Sequence, residues 1–183
     1  SMVEEVKKVL EKLKRDVDKS TDEVRDMLRR LLEEVRESSR EVERRLRELK
    51  EEVDRFKDDE RAKEIVKRVV EEAKKLVEEN ERSVRRVVEE IKKLLTRNKE
   101  VIDEVVKRAR DLVRKLEEKL RGGKKEEVKK VKKEVDEVIR RLKELVRRSE
   151  EEARRVIKTL EKLLRDSKKR VEDVIKDLDR TVR

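Results

Sequence analysis

The same apolar pattern returns every 18 residues along this chain. Val69, Val87 and Val105 share one column of the repeat, Leu76, Leu94 and Leu112 a second, and Val138, Val156 and Val174 a third. Eighteen residues make five turns of a 3.6-residue helix, so a stripe with this period climbs the helix without drifting. A strict seven-residue repeat would impose a left-handed supercoil, whereas this period predicts nearly straight helices. Such regularity constrains the architecture tightly and carries little information about a natural task.

Three stripes can be followed. The first runs from Val3 through Val17, Val35 and Val53 to Phe56. Its phase then breaks, because continuing it reaches Glu64, Lys67 and Glu71. A second stripe begins at Ala62 and runs to Leu120, and a third runs from Val128 to Val182. Lys57–Asp58–Asp59 lies at the first break, where Asp is a good N-cap because its carboxylate accepts free N–H groups of a helix start, and Glu60 suits the helix dipole. Gly122–Gly123 at the second break can close a helix, since glycine tolerates the left-handed conformation. The expectation is one elongated domain over residues 1–183, with helices over about 2–57, 60–121 and 124–182 and turns at 57–60 and 121–124. Each helix would be about 85 Å long. Short connections impose antiparallel neighbours, so the predicted fold is all-α: a long, nearly untwisted, up-down-up antiparallel three-helix bundle. Burial of the stripes, more than propensity, should stabilise it.

Polar residues interrupt the stripes in an ordered way: Ser20, Thr21, Ser38 and Ser39 in the first, Asn80, Ser83 and Asn98 in the second, Ser149 and Ser167 in the third. The midpoint of 20 and 98 is 59, and so is that of 38 and 80; the midpoint of 98 and 149 is 123.5, and so is that of 80 and 167. These are the fold-back points already inferred from the phase break and the glycine pair. Two polar layers should therefore cross the bundle about 27 Å apart. One comprises Ser20, Thr21, Asn98 and Ser149, the other Ser38, Ser39, Asn80, Ser83 and Ser167. A buried amide or hydroxyl without a partner costs about 1–3 kcal/mol, so each layer is expected to close as a hydrogen-bond network. Sliding one helix by a turn would set Asn against Leu, which makes the layers register devices.

Composition excludes much chemistry. The chain is 59% charged and 1% aromatic and contains no Cys, His, Pro, Trp or Tyr. There is no imidazole base, no thiolate and no disulfide. No catalytic residue, cofactor site or metal site is expected, since Asn and Ser are too weak as ligands to hold a metal unaided. Paired glutamates such as Glu33–Glu34 read as surface charge. Gly122–Gly123–Lys124 lacks the spacing of a phosphate loop. No apolar run approaches the roughly 20 residues of a membrane span. Ser1–Met2 reads as a tag-removal scar, no signal peptide is recognised, and no localisation follows. The formal charge of +10 arises from basic residues interleaved with acidic ones, which reads as a solvated surface rather than a specific nucleic-acid interface. Met27 and Phe56 are expected in the core or plugging its ends. Thr96 and Thr159 fall on the flanks of the stripes, with no role beyond the surface.

The repeated blocks 62–79, 80–97 and 98–115, the minimal loops, the surface of Glu, Lys, Arg and Asp, and the Asn/Ser layers in register resemble a de novo designed helical bundle of the straight parametric kind with buried hydrogen-bond networks. That resemblance implies a stable, monomeric structural scaffold that requires no partner and has no evolved activity. One alternative is a self-associating or partner-binding module, a homo-oligomer building block. Helices two and three carry extra apolar residues beside the main stripe (Val70, Val77, Val88, Leu95, Val106, Val113, Ile139, Val146, Ile157, Leu164, Ile175), which makes them the expected interface. Another is an electrostatic binder of nucleic acid or lipid, whose affinity would fall steeply with salt.

Overall fold

A computed structural model describes residues 2–121, 123 and 125–182. It contains three helices: α1 over Met2–Phe56, α2 over Ala62–Lys119 and α3 over Lys125–Thr181. Ser1, half of the suspected scar, and Gly122 and Lys124, which bear on the second turn, lie outside the described residues.

The first turn follows from Asp59. The Asp59 N–H donates to the Phe56 carbonyl at 3.0 Å and ends α1. The Arg61 N–H then donates to Asp59 Oδ1 at 2.9 Å, and the Ala62 N–H to the Asp59 carbonyl at 3.1 Å. The carboxylate thus caps the second residue after it, as an N-cap does. Regular helix begins at Ala62 instead of 60, a difference within the usual fraying of a helix end. At the second turn the Leu120 N–H still reaches the Leu116 carbonyl, and the Gly123 N–H closes back on Leu120 at 3.1 Å. α2 accordingly stops at Lys119, two residues before the expected end.

The chain forms two compact units: residues 1–28 with 91–154, and residues 29–90 with 155–183. Each contains a segment of all three helices. In unit 1, Arg25 meets Glu152 between α1 and α3 at 3.6 Å, and Lys132 meets Glu117 between α3 and α2 at 3.6 Å. In unit 2, Arg170 meets Glu43 at 3.3 Å, Lys168 meets Glu81 at 3.5 Å, and Arg86 meets Glu34 at 2.9 Å. Residue numbers rise together along α1 and α3 and run oppositely along α2. Each unit is therefore an up-down-up three-helix bundle.

The core of unit 1 includes Leu10, Leu13, Val17, Ile102, Ala109, Leu116, Val131, Val135 and Leu142. That of unit 2 includes Val42, Leu46, Leu49, Val53, Val66, Val69, Ala73, Val171, Val174 and Leu178. The wide apolar arcs of α2 and α3 share burial between two columns. Val106, Val113 and Ile139, read as extras, are buried, while Leu76, Leu94, Leu112, Leu145, Val156 and Leu163 of the main stripes are only half-buried. The other extras on these two helices are half-buried too, so they belong to the bundle wall more than to a bare face. Met27 and Phe56 depart from expectation: they are 37% and 38% exposed. Met27 lies beside the buried column of α1, on its flank. Phe56 is the last residue of α1 and rests near Ile65 at the bundle surface.

Candidate functional site

The polar residues that interrupt the stripes are the only arrangement singled out by the sequence, and their positions are set by the helix phase. An apolar stripe lends its burial to whatever side chain occupies its column. Asn80 and Asn98 are 2% and 3% exposed; Thr21, Ser149 and Ser167 are also buried, and Ser20, Ser38, Ser39 and Ser83 are half-buried. Ser20, Thr21, Asn98 and Ser149 all fall in unit 1, beside the end of its core cluster near Val17 and Ile102. Ser38, Ser39, Asn80, Ser83 and Ser167 all fall in unit 2, beside Val42 and Val171.

One hydrogen bond joins α1 to α2 in each group. The Ser20 hydroxyl donates to Asn98 Oδ1 at 2.9 Å, and the Ser38 hydroxyl donates to Asn80 Oδ1 at 3.3 Å. The pairs are those whose midpoint is residue 59. The wider networks are not closed. Thr21 Oγ1, Ser39 Oγ and Asn80 Nδ2 are buried without a hydrogen-bond partner. Ser149 and Ser167 line their groups from α3, and neither hydroxyl bonds the asparagine of its group. Elsewhere Thr96, Thr159 and Thr181 each donate to the carbonyl four residues earlier, at 3.0, 3.0 and 2.9 Å, and so are satisfied within their own helices.

The remaining polar chemistry is ionic and exposed. Arg147 is held between Glu144 and Glu151, and Arg45 between Glu48 and Glu72. The hydrogen bond from Arg147, reinforced by the charges of Arg147 and Arg148, holds the Glu144 carboxyl below its ordinary pKa. The same contact raises that of the Arg147 guanidinium. These are exposed surface ion pairs, screened by solvent, and they do not converge on a cleft. Among the described residues no group of three or more His, Cys, Asp or Glu is placed to hold a metal ion. Among the described residues no helix is long and apolar enough to cross a membrane.

No family model and no curated protein matches this chain. Among solved structures it is similar to one described as a computationally designed three helix bundle, with a TM-score of 0.58 and 19% sequence identity, over 99% of this chain and 86% of the other. At that identity the likeness shows the fold: a three-helix bundle.

Proposed function

We propose that this chain is a designed structural scaffold and that its buried Asn and Ser residues act as register devices. One observation carries the reading. In each unit a buried α2 asparagine accepts a hydroxyl from the α1 serine that lies at its own level when the chain folds back at residue 59. Slipping α1 by one turn would withdraw both donors and press the amides against leucine or valine, at about 1–3 kcal/mol for each stranded amide. The 18-residue repeat, the minimal turns and the likeness to a designed three-helix bundle support the designed origin. The reading assigns no catalytic role, cofactor or obligatory partner, and it treats residues 1–183 as one elongated domain.

The test is the double replacement Asn80→Leu with Asn98→Leu. Far-UV circular dichroism is expected to show unchanged helicity. The melting temperature is expected to rise by several degrees, because about 2–4 °C follows each kcal/mol in a chain of this size. Amide NMR spectra should meanwhile show extra or broadened signals from mixed register. Loss of helicity in the double variant would overturn the proposal.

A further inference from the structure

The two polar groups are copies of one another at the 18-residue period: Ser20 and Ser38, Asn98 and Asn80, and Ser149 and Ser167 share columns. They differ at two places. Ser39 stands where unit 1 has Thr21, and Ser83 where it has Val101. The unit 2 group also holds two of the three fully buried polar atoms that lack a partner among the described residues, Asn80 Nδ2 and Ser39 Oγ. Both belong to one side of the layer. Asn80 turns its Oδ1 to the Ser38 hydroxyl, so the nitrogen of that planar amide points away from Ser38. Ser39 lies about 100° round α1 from Ser38, toward α3. One turn further along α1, Glu43 meets Arg170 across the α1–α3 seam at 3.3 Å. Ser167 lies one turn before Arg170, and its neighbour Lys168 meets Glu81, the neighbour of Asn80, at 3.5 Å. Asn80, Ser39 and Ser167 therefore meet at one level of unit 2, one from each helix.

We infer that this layer binds one internal water molecule, which accepts the Asn80 Nδ2 hydrogen and bonds the hydroxyls of Ser39 and Ser167. Asn80 is 2% and Ser167 8% exposed, so bulk solvent does not serve the amide. Room for a water follows from side-chain size. Ser39 shares its column with Val3 and Ser167 shares its own with Val131, and each serine is smaller than that valine by a methyl group. A buried water ordinarily makes two to four hydrogen bonds. Here it makes three, one to each helix, and brings α3 into a layer whose direct bond joins only α1 and α2. In unit 1, Thr21 Oγ1 is the one fully buried atom without a partner among the described residues, too little to hold a water of its own. Immobilising a water costs entropy, so Asn80 remains less well served than an amide bonded directly. The inference rests on the burial and level of these groups and does not depend on the register role.

Oxygen-17 relaxation dispersion of water in solutions of the full chain counts internal waters without interference from exchanging hydroxyl protons. Recording it over a range of temperatures keeps slow exchange from hiding the signal. The parent should show the amplitude of one long-lived water. Asn80→Leu should abolish it, and so should Ser39→Val, a residue type that the same column already carries at Val3. Asn98→Leu should leave it in place. Far-UV circular dichroism should show all three variants as helical as the parent. A parent without dispersion, a signal that survives either unit 2 substitution, or one that Asn98→Leu removes equally would defeat the inference. A dry parent whose Asn80 and Asn98 double variant still mixes registers would strike the water and leave the register role standing.

Discussion

Asn80 and Asn98 occupy equivalent columns and are not equally served. Asn98 accepts a hydroxyl at 2.9 Å; Asn80 accepts one at 3.3 Å and keeps a buried N–H without a partner. Replacing Ser20 with Ala should therefore cost about 1 kcal/mol in chemical denaturation, and replacing Ser38 with Ala distinctly less. Conversely, Asn80→Leu alone should stabilise more than Asn98→Leu, since it also removes the orphaned donor. Glu144 offers a second residue-scale test. Its folded carboxyl titrates below the ordinary value because the Arg147 guanidinium bonds its charged form. The stabilisation is complete above the ordinary carboxylate range and is lost as pH falls through the folded value. An NMR titration of Glu144 should show the low midpoint, and Arg147→Ala should move it upward.

The ends of the elements repay the same scrutiny. Asp59 holds the start of α2 through its carboxylate, so Asp59→Ala should lower stability by about 1 kcal/mol in urea unfolding, while Asp59→Asn should retain most of it. That turn was legible in the sequence twice over, from the phase break after Phe56 and from the serine–asparagine midpoints. The helix count, the antiparallel order and the burial of Asn80 and Asn98 were legible for the same reason: an 18-residue period fixes which column faces inward. The division of burial within a wide arc was not legible. Val106 and Leu112 differ by about 120° on a helix, and which of them is covered depends on where two neighbouring helices lie rather than on α2 itself. The solvent-facing fate of Met27 and Phe56 was hidden likewise, since apolar character alone does not distinguish the flank of a stripe from its centre. The unclosed networks depend on side-chain rotamers and hydroxyl rotation, which spacing does not encode.

For the molecule as a whole, two features can hold α1 in register against α2: the capped turn at Asp59 and the serine–asparagine pairs. They are separable because one is local and the other lies well along the helices. Spin labels on Arg36 of α1 and Lys67 of α2, both exposed and both in unit 2, report the offset between the helices along their axes. Pulsed dipolar spectroscopy of the parent chain should give one narrow distance distribution. With Asn80→Leu and Asn98→Leu introduced together, the distribution is expected to broaden or split by up to about 5.4 Å, one helical turn. An equally narrow, unshifted distribution in the double variant would assign the register to the turn and contradict a register role for the buried asparagines.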